Sequence, residues 1–122
     1  MNGRDRRPSS DASGREAERR AEILLAAEGW SIIGRRVRTP RGELDLVAER
    51  GGLVAFVEVK LRRSLDDAAQ ALSARQQQRI AAAAECWLAA NPSAGATGIR
   101  FDVVLVDRNR NARRIPDAFR PC

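Results

Sequence analysis

Two short segments carry residue types that could hydrolyse a phosphodiester. Gly42-Glu43-Leu44-Asp45-Leu46-Val47 sets Asp45 between leucines, and Phe56-Val57-Glu58-Val59-Lys60 sets Glu58 and Lys60 among apolar residues. Such hydrolysis needs an activated water, a stabilised pentacoordinate state and a neutralised leaving oxygen. A divalent cation held by hard oxygen ligands contributes to all three. Asp45 and Glu58 offer two carboxylates, and the main-chain carbonyl of Val59 offers a third oxygen. The Lys60 ammonium could orient the attacking water or offset charge growing on the phosphate. The plainer role of the same residues is a buried ion pair of Lys60 with Glu58 or Asp45. The complete set, three ionisable groups flanked by aliphatics, favours the metal site.

These groups work together only if the chain brings them together. Both segments alternate apolar and polar residues with the period of two that marks a strand. Glu58 and Lys60, two apart, then share one face. The intervening Glu49-Arg50-Gly51-Gly52 has turn chemistry, so the strands should pair as an antiparallel hairpin that brings Asp45 close to Glu58. Glu18, on a predicted first helix, joins this cluster if that helix packs on the same face. Glu43 shares the Asp45 strand as a further acid.

The composition limits the alternatives. The chain has 122 residues, enough for one domain, with 43% hydrophobic but only 4% aromatic residues, so aliphatic side chains must fill the core. The net charge of +6 favours a polyanionic partner, nucleic acid before an anionic membrane surface. Lys60 is the only lysine, and the remaining positive charge is arginine, which suits bidentate phosphate contacts. There is no histidine, which excludes Ser-His-Asp and Cys-His mechanisms and any histidine metal site. Cys86 and Cys122 lack CxxC spacing, and Cys86 reads as a buried free thiol. No apolar run approaches the length of a membrane span. Pro8-Ser9-Ser10-Asp11 stands where an export signal needs apolar residues, so a cytosolic, cytoplasmic protein is expected.

Along the chain, residues 1–13 read as a flexible basic arm, and a single nuclease-like domain is expected over 14–108. A helix is predicted from 14 to 28, with Ala17, Ala21, Leu24 and Leu25 on its apolar face and Gly29 at its C-cap. A strand follows over 30–38, then a Thr39-Pro40-Arg41-Gly42 turn and the two motif strands. Ser64-Leu65-Asp66-Asp67 reads as the start of a long alanine-rich helix over 68–90, with Ala69, Leu72, Gln76, Ile80, Ala83, Trp87 and Leu88 facing inward. Asn91-Pro92 stops it, and 99–106 forms a fourth strand. From 109 to 122 a basic tail is expected. Arg35, Arg36 and Arg38, with Arg62 and Arg63, could line a groove that tracks a phosphate backbone, or simply guard a strand edge with charge. Trp30 and Trp87 could stack on bases, although their apolar settings favour core positions. Asp102 is expected to bond to the sheet rim.

These motifs resemble the YraN family of small bacterial proteins, within the restriction-endonuclease-like superfamily of PD-(D/E)xK signature. The likeness runs from 14 to about 106. It is carried by Gly14-x-x-x-Glu18-x-x-Ala21, Gly29-Trp30, the block from Arg38 to Val47, the block from Val54 to Arg63, and Arg100-Phe101-Asp102-Val103-Val104. The resemblance implies an α/β fold, a mixed sheet flanked by helices in the order helix, three-strand meander, long helix, strand. It implies Glu18, Asp45 and Glu58 as metal-binding acids, Lys60 as the catalytic lysine, and Mg²⁺ or Mn²⁺ as cofactor. The helix Glu, strand Asp and Glu-x-Lys order is similar to that of archaeal Holliday-junction resolvases, which implies endonuclease action on DNA, branched DNA included. Cutting two strands takes two sites, so a homodimer is compatible with the resemblance. Two departures stand out: Gln76 replaces a usual lysine, and Asp66-Asp67 replaces a usual Phe-Gly. Gln76, with Arg38, Arg62 and Arg63, is expected at the nucleic-acid surface. The alternatives are a DNA-binding module that does not cleave and a small protein-interaction adaptor.

Overall fold

A computed structural model describes residues 3–65 and 72–121, with the side chains of 14–65 and 72–121. The chain runs α1 (Gly3–Ala27), β1 (Ser31–Thr39), β2 (Gly42–Arg50), β3 (Leu53–Leu61), α2 (Ala74–Ala90), β4 (Gly98–Val106) and β5 (Ala112–Ile115). The strands form one sheet in the order β1-β2-β3-β4-β5. Pairing is antiparallel except between β3 and β4, which run parallel across the α2 crossover. The expected α/β architecture of helix, three-strand meander, long helix and strand is therefore present, with one added edge strand.

The two helices cover opposite faces of this sheet. Ala17, Ala21 and Leu25 of α1 pack with Leu46, Ala48, Ala55, Val57 and Val104. Ile80, Ala83 and Ala84 of α2 pack with Leu44, Val47, Val54, Phe56 and Phe101. The central β3 is consequently apolar on both sides, Val54 and Phe56 toward α2 and Ala55 and Val57 toward α1, as a strand buried on two faces must be. Few aromatics are present, and they are concentrated on one side. Phe56 stacks on Phe101 at 5.5 Å and meets Trp87 edge-on at 5.7 Å, while Phe101 stacks on Phe119 at 4.9 Å.

Three boundaries differ from those expected. α1 begins at Gly3, so most of the segment expected as an arm is helical backbone. α2 begins at Ala74 instead of 68, because Ser73 closes its end with a capping box: Gln76 N–H donates to Ser73 Oγ, and Ser73 N–H donates to Gln76 Oε1. Asp66, Asp67 and Ala69, part of the expected helix start, lie outside the described residues. Finally, the expected tail is part of the fold. β5 pairs with β4, and Phe119 is buried against Phe101, since the sheet would otherwise leave Phe101, Val103 and Leu105 uncovered.

Candidate active site

The hairpin that builds the site is set by its turn. Gly51 and Gly52 form a two-residue loop with φ of 58° and 82°, the pair of left-handed residues that a type I′ turn requires. The register that follows pairs Leu46 with Val57 and Val47 with Phe56, so continuing it would set Asp45 opposite Glu58. The ladder ends at Leu46, however. The Asp45 carboxylate takes over there, its Oδ2 accepting the Val59 N–H at 2.9 Å. The two strands thus part at the position of the acids, and a side chain holds the gap.

Glu58 and Lys60 alternate with Val57 and Val59, so they stand on the α2 side of the sheet with Val54 and Phe56. Lys60 Nζ lies 3.2 Å from Glu58 Oε2, and both side chains are mostly buried, at 21% and 16% exposed. Asp45 is half-buried beside them. Two carboxylates therefore share one ammonium in a poorly hydrated place. Burial, and then the neighbouring Asp45 charge, push the Glu58 carboxyl up to about 7 against the opposing pull of Lys60. Glu58 therefore holds its proton more tightly than an ordinary carboxyl. A divalent cation is the natural replacement for that proton, and the donors, two carboxylates with the Val59 carbonyl adjoining, are the hard oxygens Mg²⁺ or Mn²⁺ takes.

The structure assembles Asp45, Glu58, Val59 and Lys60 but not Glu18. The first helix would have had to pack on the face that Glu58 occupies, and α1 covers the other one. Glu18 instead accepts from Arg36 Nε at 2.9 Å. Among the described residues, no three Asp, Glu or Cys side chains converge closely enough to hold a metal by themselves. Glu43 is exposed and lies 3.5 Å from Arg38, apart from the cluster. Arg62, directly after β3, donates its main-chain N–H to Val106, and Arg63 beside it is exposed. Gln76 serves the capping box of α2. Arg35 reaches Glu22 on α1, so Arg35 and Arg36 both form exposed ion pairs with that helix.

Trp30 is core, as its setting favoured, with Arg50 and Arg100 over its ring at 4.6 and 5.2 Å, and Trp87 packs on Phe56. Asp102 does more than reach a rim. It is the one buried charged residue among those described, gripped by Arg100 through two 2.8 Å bonds, by Arg114 at 3.3 Å and by the Asp117 N–H at 2.9 Å. This network ties β5 and the segment after it to the sheet. The signal in the sequence was an acid inside an apolar strand, which needs a partner.

A mixed five-stranded sheet with a helix on each face defines an α/β fold, and an Asp, a Glu and a Lys stand where two of its strands part. A solved Holliday junction resolvase from the archaeal hyperthermophile Archaeoglobus fulgidus is similar in fold, with a TM-score of 0.52 and 24% identity over 81% of this chain and 72% of that one. The chain belongs to the family described as Uncharacterised protein family UPF0102, whose model matches residues 17–106. It is 54% identical over 107 residues to UPF0102 proteins of Granulibacter bethesdensis and of Rhodopseudomonas palustris strain BisB5, covering 88% of this chain and 68% and 82% of theirs. No described helix is long and apolar enough to cross a membrane.

Proposed function

We propose that the protein is a metal-dependent endonuclease that hydrolyses DNA phosphodiesters, with branched DNA as its preferred shape. One observation carries this reading: Asp45 and Glu58 meet where the strands part, with Lys60 beside them, and burial with the Asp45 charge raises the Glu58 carboxyl. Asp45, Glu58 and the carbonyl of Val59 would hold Mg²⁺ or Mn²⁺, which supplies Lewis-acid charge against the scissile phosphate. The Val59 N–H fixes the Asp45 carboxylate in place before substrate arrives. Lys60, kept in position by Glu58, presents its ammonium to the attacking water and the phosphate oxygens. Arg62 and Arg63, two and three residues beyond Lys60, would extend positive charge from the site toward DNA, and Arg38, paired with Glu43 on β2, would meet the backbone farther out. Two copies would serve substrates cut on both strands. The branched shape is drawn from the resolvase likeness in fold.

The position of Glu18 across the sheet favours a second reading, a DNA-binding module that kept two acids and a lysine without cutting. A panel of labelled single-stranded, duplex, flap and four-way-junction DNAs separates the two. The endonuclease reading expects products that need Mg²⁺ or Mn²⁺, stop with EDTA and vanish in Asp45→Asn. Salt-dependent binding with no product in any lane would leave the module.

A further inference from the structure

Among the described non-glycine residues, Arg36, Arg110 and Asp117 have left-handed backbones, and only Arg36 lies inside a strand. At φ of 47° it adopts a conformation that L side chains avoid, and such outliers concentrate where a site needs them. The register of β1 on β2 pairs Arg35 with Leu46 and Val37 with Leu44, so Arg36 falls opposite Asp45.

Side chains change faces at this point on both strands. Residues two apart in a regular strand share a face. Leu46 nevertheless packs toward α1, whereas Leu44, with Val37 across from it, packs toward α2. On β1 the consecutive Arg35 and Arg36 both reach α1, the first to Glu22 and the second to Glu18 at 2.9 Å, which no regular strand allows. Asp45 sits at the turnover. Its carboxylate reaches along the sheet to the Val59 N–H.

We infer that Arg36 is a positioning residue for Asp45: its left-handed backbone, braced by the ion pair with Glu18, turns the side chains of the β1–β2 ladder to the other face with the register kept, and aims the Asp45 carboxylate at β3. Glu18 then acts on the site through Arg36, from the far side of the sheet. The inference rests on the proposed function only for the purpose of that aim, since the backbone device is the same whether or not DNA is cut.

The test is amide exchange of Val59, read by NMR on the full chain without metal, with the Phe56 amide as control. Arg36→Val places a β-branched residue where φ must be positive, and Val59 should exchange about tenfold faster while Phe56 keeps its protection. Arg36→Gly adopts the same backbone freely, and Val59 should stay within about threefold of the parent. Glu18→Gln removes the brace alone and should speed Val59 exchange by an intermediate factor. An unchanged Val59 amide in Glu18→Gln, or a uniform loss over the whole sheet in Arg36→Val, overturns the inference. If Arg36→Val does not fold, Glu18→Gln decides alone. A parent protein that never cuts DNA, but whose Val59 responds as stated, overturns the proposed function and leaves this inference standing.

Discussion

Glu58→Gln should stabilise the metal-free protein at alkaline pH. The Glu58 carboxyl lies at about 7 in the folded protein against 4.5 for the ordinary group, so the folded state holds the proton more tightly than the unfolded chain. Stability from this group is then full below pH 4.5 and is lost as pH rises toward 7. The span corresponds to about 3 kcal/mol at roughly 1.4 kcal/mol per pH unit. Most of it, on the order of 2 kcal/mol, falls between pH 5 and pH 8. The side chain is only 16% exposed, so little of this is lost to solvent screening. Glutamine cannot ionise and lacks that slope. The assay is thermal unfolding in EDTA at pH 5 and pH 8. The difference in Tm between Glu58→Gln and the parent should move in favour of the variant by about 8 °C from the first pH to the second, at roughly 4 °C per kcal/mol. Equal pH dependence in the two proteins would refute the account of a crowded, under-balanced acid pair.

Other outcomes follow from the same structure. Apparent Mn²⁺ affinity should fall about tenfold per pH unit below 7, because the Glu58 proton must leave before the cation binds; calorimetric titration at pH 6 and 8 checks it. Asp102→Ala should cost about 3–5 kcal/mol in urea unfolding, because Arg100 and Arg114 lose their buried counter-charge, and β5 amides should lose protection first. Phe119→Ala should cost about 3 kcal/mol, which shows whether the C-terminal segment is part of the cooperative fold. Gln76→Ala should cost about 1 kcal/mol through the capping box, with DNA affinity within about twofold if that is its whole role.

The hairpin and its acids are legible because short-range signals agree: period-two alternation and a Gly-Gly turn fix the register up to Leu46 and Val57, which sets Asp45 and Glu58 next in line where the strands part. The α2 start is not legible because alanine is as good inside a helix as at its end, and the Ser73–Gln76 box is a weaker cue than the acids at 66 and 67. β5 is not legible because it is four residues long and half of them, Arg113 and Arg114, are arginine. Arg114 enters the fold through Asp102 and Glu28, pairings 12 and 86 residues away in sequence that no local pattern carries. Glu18 lies on the expected helix, and it joins the acids only if that helix covers their face, whereas α1 packs on the other. Which face α1 covers depends on packing against Leu46, Ala55 and Val57, and the helix pattern alone leaves that open.

The most direct measurement of the central claim is single-turnover cleavage of a four-way DNA junction in Mg²⁺ by the parent and by Lys60→Ala. Removing the only lysine should slow cleavage by at least about a thousandfold, while junction affinity and Mn²⁺ binding stay within about threefold. Cleavage at the parent rate in Lys60→Ala, or cleavage that persists in EDTA, would contradict the assignment of Asp45, Glu58 and Lys60 as a metal-dependent nuclease site.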